Sequence, residues 1–162
     1  MIVRHLDFYT DGAFSSKTEM GGWACICIED DIAISSISGK EPYSTNNRME
    51  LIAVISALQA LTEPCEVDLY SDSKYLTDAI NKGWLENWRR KGFAKVKNPD
   101  LWMRLIPLLQ KHRVAFHWIK GHAGHPENER CDALAVAAGA GAVAKGIQLP
   151  PDAGYTPDET LL

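Results

Sequence analysis

Residues 47 to 61, NRMELIAVISALQAL, place apolar side chains at Leu51, Val54, Ile55, Leu58 and Leu61, the spacing of one helix face, with Pro64 close behind as a stop. This run constrains the fold more than any other, because β-prone segments lie on both sides of it. Residues 2 to 10, 22 to 28 (GWACICI) and 32 to 38 (IAISSIS) precede it as three successive strands, suggesting an antiparallel meander, and CEVDLY at 65 to 70 follows it. A strand reached through a helix belongs to a sheet with helices packed on its faces, so an α/β fold with a mixed sheet is expected.

Further along, a short helix is expected from Ser73 to about Ile80, and another over WLENWRRKG that stops near Gly92. A third begins at Asn98 in NPDLWMRLIPLLQKH, where Pro107 is expected to kink it or end its regular hydrogen bonding. VAFHWIK at 114 to 120 reads as the last strand and ENERCDALAVAAGA at 127 to 140 as the last helix. The end of the chain, LPPDAGYTPDETLL, reads as a loose polar tail. The expected organisation is therefore one domain over 1–145 and a tail over 146–162. A chain of 162 residues has room for one such core and not for two. No apolar run approaches the roughly 18 residues that would span a bilayer, and MIVRHLDFYTDG lacks the core of a signal peptide. The four cysteines contain no C-x-x-C pair, so they read as reduced thiols and the protein as cytoplasmic, with no membrane partner.

The formal net charge is −4, which on average argues against a nucleic-acid partner. The distribution argues otherwise. Residues 82 to 97, KGWLENWRRKGFAKVK, carry Lys82, Arg89, Arg90, Lys91, Lys95 and Lys97 against Glu86 alone, so this arm is +5 and the remainder −9.

Four acids fall at the ends or edges of expected elements, and each has an ordinary explanation. Asp11 in YTDGA closes the first strand, where Asp-Gly is a favoured hairpin pair. Glu50 follows Asn47 by three residues, as in a capping box. Asp72 in YSDSKYL stands between strand and helix, where aspartate caps are common. Asp132 flanks the apolar stripe Cys131, Leu134, Ala135 and Ala138 of the last helix. Together they suggest more, because carboxylates brought to one side of a sheet repel unless a divalent cation is bound. Oxygen ligands without thiolate select Mg²⁺ or Mn²⁺ over zinc, and two such ions about 4 Å apart serve phosphoryl transfer.

YTDGA, TNNRMEL, YSDSKYL and KGHAGHPENERCDALA, in this order and at these spacings, resemble the four motif blocks of bacterial type 1 ribonuclease H, over residues 1 to about 140. The resemblance implies the ribonuclease H-like fold, a five-stranded mixed sheet in order 3-2-1-4-5 flanked by helices. It implies an endoribonuclease that cuts the RNA strand of RNA–DNA hybrids with two Mg²⁺ ions, for which Mn²⁺ can substitute, leaving 5′-phosphate and 3′-hydroxyl ends. It implies a monomer, with roles in primer and R-loop removal. Matched motif to motif, the metal ligands fall on Asp11, Glu50, Asp72 and Asp132. One ion would be held by Asp11 and Asp132, the other by Asp11, Glu50 and Asp72. The mobile loop histidine of proton transfer or product release falls on His122. Thr45, Asn46 and Asn47 match the segment that meets a DNA phosphate and the minor groove, and Asn47 is also a candidate helix cap. The basic arm resembles the substrate-binding handle, with Trp84 and Phe93 lining the DNA-strand groove and Arg89, Arg90, Lys91 and Lys95 meeting phosphates. Trp84 and Trp88 read equally as an i,i+4 packing pair.

Two stretches depart from the family pattern. AFSSKTEM at 13 to 20 replaces a Gly/Pro/Asn-rich loop and puts Lys17 where an asparagine often helps hold substrate, and the arm is short between Gly92 and Val96. Three other readings remain: a DNA-strand-transfer enzyme of similar fold, a silent hybrid-binding module, and a zinc domain using Cys131, His122, His125 and His117. Under the resemblance, KGHAGHPENERCD divides its jobs. Asp132 is the ligand, Glu129 an outer-shell acid or a solvated flank, His125 orders the loop, and Cys131 packs under the helix.

Overall fold

The computed structural model describes residues 3–121 and 124–144, the last four as backbone only. The expected tail, 146–162, lies outside these residues. Among the described residues, β1 (Arg4–Ser15), β2 (Met20–Glu29), β3 (Ile32–Pro42), β4 (Cys65–Ser71) and β5 (Arg113–Trp118) form one sheet in the order β3-β2-β1-β4-β5. β1 and β3 run antiparallel to β2, while β1, β4 and β5 are mutually parallel in neighbouring pairs. The helices are α1 (Asn46–Gln59), α2 (Lys74–Asn81), α3 (Trp84–Arg90), α4 (Pro99–Lys111) and α5 (Pro126–Ala144). This is the mixed α/β sheet order that the motifs implied.

Strand alternation sends Leu6 and Phe8 of β1, with Val67 and Leu69 of β4, to one face, where they meet Leu51, Val54, Ile55 and Leu58 of α1 and Trp102 and Leu105 of α4. Each fully buried Leu or Ile here contributes about 1.5–3 kcal/mol of transfer free energy, as an upper bound. The opposite face packs Ala24, Ile26 and Ile28 under Cys131 and Ala135 of α5. That helix rests on β1, β2 and β3. Beside it, the same face of β4 and β5 carries Glu66, Asp68, Arg113 and His117, all at least partly open to water.

Several local expectations change. Asp11 and Gly12 do not form a hairpin turn; they pair with Ala24 and Trp23 inside β1, which continues to Ser15. The cap of α1 is Thr45, whose Oγ1 accepts from Arg48 N at 3.1 Å, so the Asn47–Glu50 capping box is not built and Glu50 lies one turn inside the helix. α4 runs on through Pro107, because that residue and Met103, whose carbonyl loses its donor, both lie on the exposed side where water can substitute.

The start of α1 is tied to the chain just beyond the basic arm. Arg48, buried, places Nη1 3.0 Å from Asp100 Oδ1 and Nη2 2.7 Å from Oδ2, with Asn98 Oδ1 3.2 Å from Nη1. This bidentate pair holds the Asp100 carboxyl below its usual range. It also anchors α4 against α1, the helix that carries Glu50.

Candidate active site

Asp11, Glu50 and Asp72 each offer a carboxylate oxygen within 4.8 Å of the other two. They come from β1, α1 and the end of β4, and Gly12 makes the approach of α1 to β1 possible. A Cβ on Gly12 would lie 2.5 Å from the Met49 carbonyl carbon and 2.6 Å from Glu50 N, so only glycine lets α1 settle onto β1 beside Asp11. A Cβ on Gly121 would lie 2.7 Å from Asp72 Oδ2, so the segment after β5 passes directly over that carboxylate. Trp118 Nε1 donates to the Asp72 carbonyl oxygen at 3.0 Å and fixes the same turn from its other side.

Burial and mutual repulsion dominate the electrostatics. Asp11 is pushed up to about 7, first by burial and then by the charge of Asp72, against the lowering effect of hydrogen bonds from Glu50 and from Gly12 N, the latter 2.9 Å from Oδ1. Glu50 is raised well above the carboxylate range by burial and by both aspartates, and its carboxyl shares a hydrogen bond with Asp11. Both carboxyls therefore hold their protons more tightly than isolated carboxyls do. Its Oε2 is buried without a hydrogen-bond partner. An orphaned buried oxygen beside two more acids is the donor set of a hard divalent cation, which would remove the repulsion and satisfy the oxygen. Asp132 stands outside this triple, half buried on α5, but close enough for its charge to raise Asp11 further.

The remaining expected site residues are differently placed. His122 lies outside the described residues. Thr45 is buried, and Asn46, exposed, accepts through Oδ1 from Phe14 N at 2.9 Å, joining the end of β1 to the start of α1. Asn47 is half buried. On the arm, Trp84 is 40% exposed with Lys82 Nζ 5.6 Å from its ring centroid. Trp88 faces inward, its ring 5.5 Å from that of Trp102 in an edge-on contact. Phe93 is partly buried against the main core, and Arg90, Lys91 and Lys95 are exposed. Arg89 is engaged by Glu86, Nε to Oε2 at 3.0 Å.

The zinc reading fails at Cys131. Its thiol lies in the core within hydrogen-bond reach of the carbonyl oxygens of Tyr9 and Ala24, at 3.3 and 3.2 Å, and burial raises its pKa, so the sulfur is already engaged and shut away from solvent. All four cysteines are free and buried. Sequence reasoning missed Gly12, Gly121 and Trp118; the only signal was their adjacency to Asp11, His122 and the last strand.

The RNase H family model matches residues 4–140. The chain belongs to the RNase H family. Ribonuclease H of Nitratidesulfovibrio vulgaris (strain Miyazaki F) is 48% identical over 160 residues, 96% of this chain and 99% of that protein. Ribonuclease H of Brucella anthropi is 52% identical over 138 residues, 82% of this chain and 88% of that protein. Among solved structures, the crystal structure of LC9-RNase H1, a type 1 RNase H with the type 2 active-site motif, superposes with a TM-score of 0.77 at 28% identity. It covers 87% of this chain and 74% of that one. RNase H1 from the halophilic archaeon Halobacterium salinarum shares the fold, with a TM-score of 0.65 at 22% identity over 83% of this chain and 96% of that one. As an RNase H family member, the protein is a ribonuclease, and the cluster of Asp11, Glu50 and Asp72 is compatible with a divalent metal. Among the described residues no helix is long and apolar enough to cross a membrane.

Proposed function

We propose that the protein is an endoribonuclease of the cytoplasm that hydrolyses the RNA strand of RNA–DNA hybrids as a monomer, through one catalytic domain spanning 1–145. The observation that carries this reading is the buried triple of Asp11, Glu50 and Asp72 with its orphaned Glu50 oxygen, in a chain of this family. These three and Asp132 are the proposed holders of two Mg²⁺ ions, with Mn²⁺ as a substitute. Bound there, such ions supply Lewis-acid activation of water and neutralise charge on the leaving 3′-oxygen.

The chain's own groups do the rest. A cation held there would offset the repulsion that raises Glu50 and Asp11, so both acids would face the substrate ionised. Gly12 lets α1 bring Glu50 close to Asp11, the positioning that in-line displacement at a phosphodiester requires. His122, next in sequence to Gly121, is the proposed proton carrier to the leaving group. The Thr45 hydroxyl uses a lone pair for the helix cap and keeps its proton to donate to a DNA phosphate. Asn46 commits its carbonyl oxygen to Phe14 N, which leaves its amide donors, with those of Asn47, for base edges in the minor groove. Arg90, Lys91 and Lys95, with Arg89 once Glu86 releases it, track the DNA backbone while Trp84 and Phe93 pack on its sugars. Hybrid is told from pure duplexes by 2′-hydroxyls on one strand and their absence on the other.

The test incubates end-labelled hybrid, double-stranded RNA and double-stranded DNA with the wild type and Asp72→Asn, in Mg²⁺ or EDTA. Only hybrid with wild type and Mg²⁺ should be cut. An intact hybrid, equal cutting of either pure duplex, or full activity of Asp72→Asn overturns the reading.

A further inference from the structure

On the sheet face beside α5, His5 and Asp7 of β1, Asp68 of β4 and His117 of β5, none of them assigned a role in hydrolysis above, converge. His5 Nε2 lies 2.9 Å from Asp68 Oδ2 and 3.6 Å from Asp7 Oδ1, and ligand atoms of His5, Asp7 and Asp68 all fall within 4.8 Å of one another. Asp7 and Asp68 are direct partners in the register of β1 and β4, two anions on adjacent strands with the same facing. Such a pair is destabilising unless a cation is interposed.

We propose that His5, Asp7 and Asp68 form a second metal site, for a transition ion of the Zn²⁺ class. Its position four residues before Asp11 on β1 sets it about 13 Å from that carboxylate along the strand. The geometry is that of a ligand set. Ligands about 2.05 Å from a tetrahedral ion stand roughly 3.3 Å apart, and the spacings of 2.9 and 3.6 Å bracket that value. An imidazole with two carboxylates selects Zn²⁺ and its neighbours over Mg²⁺, whose sites are all oxygen. Three protein ligands leave a fourth position for water.

The surroundings orient the Asp68 ligand. His117 Nε2 lies 2.7 Å from Asp68 Oδ1, so as an N–H donor it pins that oxygen and turns Oδ2 toward His5. The His117 ring is itself clamped by Tyr70, stacked with centroids 4.9 Å apart. The other nitrogen of His5, Nδ1, has Glu66 Oε2 at 3.8 Å, beyond hydrogen-bond distance, so that carboxylate adds negative charge behind the ring without orienting it. Arg113 Nη1 approaches Glu66 Oε1 at 3.6 Å and completes the border. His5 and His117 are both exposed at the strand surface, so an ion reaches them without opening the core.

Full-length protein stripped with EDTA and dialysed is titrated with Zn²⁺ by calorimetry, using wild type, His5→Ala, Asp68→Asn, His117→Gln and Asp72→Asn. Wild type and Asp72→Asn should share one tight zinc equivalent. His5→Ala and Asp68→Asn should weaken it by about 100-fold or more, and His117→Gln by roughly 10-fold, as loss of an orienting partner does. In zinc-free buffer with Mg²⁺, His5→Ala should cleave hybrid at the wild-type rate, showing that it is folded. A second, independent readout keeps the sites apart: Co²⁺ should give a visible ligand-field band in wild type and Asp72→Asn, absent in His5→Ala. Undiminished zinc binding by His5→Ala, loss of the tight equivalent in Asp72→Asn, or no zinc binding by wild type overturns the proposal.

Discussion

Asp11 and Glu50 stand on a central strand and on a helix buried on most of its surface, whereas Arg90, Lys91 and Lys95 ride on a two-turn helix and the irregular segment after it. In that segment Phe93 and Lys95 hold left-handed backbone, with φ of 59° and 60°, between Gly92 and Asn98. The cluster holds like charges together against repulsion in a buried place; the arm spreads its charges in water. Under the proposed function, each arrangement suits its task. Displacement at phosphorus needs oxygens held to within tenths of an ångström, and the rigid core supplies that. Capturing a polyanion needs only charge density, which a surface arm supplies with little strain on the fold.

The division of labour breaks most readily at the carboxylates. Asp11→Asn should lower kcat for hybrid cleavage by roughly 10³-fold or more while leaving the dissociation constant for hybrid near the wild-type value at matched salt. A parallel rise in the dissociation constant would show that cluster and arm are not separate devices. The same substitution should stabilise the metal-free protein by about 1–3 kcal/mol in urea melts, since it relieves repulsion that function requires.

Gly12→Ala attacks the scaffold and spares every charge. Because the added methyl meets Met49 and Glu50 backbone, α1 must move away from β1. An activity loss of about 100-fold is expected with destabilisation of about 1–3 kcal/mol. Wild-type activity in this variant would show that the carboxylate separations are not set by that close approach.

A pH titration sharpens the electrostatic side. In EDTA, Asp11 has a folded pKa of about 7, raised from its ordinary value by burial and by Asp72. The folded state therefore binds more protons than the unfolded chain between about pH 4 and 7, and stability must fall as pH rises through that window. Melting temperature should drop from pH 5 to pH 8 in EDTA, and Mg²⁺ should restore more of it at pH 8 than at pH 5. Asp11→Asn should flatten the profile.

The arm gives the smallest effect. Arg90→Ala with Lys91→Ala should raise KM several-fold, with kcat changed little. The slope of log affinity against log salt should become shallower by about 0.9 for each phosphate that is no longer neutralised. Arg89→Ala should do less than Arg90→Ala, because Glu86 already engages that guanidinium.

The order of elements was legible because it is local. Leu51, Val54, Ile55 and Leu58 repeat at the helical period whatever they pack against, and the strands around α1 announce themselves by composition. The family's motifs named the acids as well, but assigning each a role from sequence alone left ordinary alternatives standing. Asp11-Gly12 has the composition of a hairpin turn, and only its pairing with Ala24 and Trp23 shows a strand. Asn47 and Glu50 have the spacing of a capping box, and only the Thr45 cap frees Glu50 to face Asp11. Cys131 beside two histidines has the composition of a zinc ligand, and only its burial against Tyr9 and Ala24 removes it.

The sequence by itself determined which segments are helix and strand, where the basic arm lies, and which acids the family's motifs mark, because periodicity, charge and motif spacing are properties of neighbours along the chain. The tertiary structure alone decided that carboxylates 61 residues apart, Asp11 and Asp72, come within reach of a shared ion, and that His5, Asp7, Asp68 and His117 meet on one open face. Those encounters depend on strand register, as the approach of Glu50 to Asp11 depends on the absence of a Cβ at Gly12, and no local pattern encodes the distance between two strands' side chains.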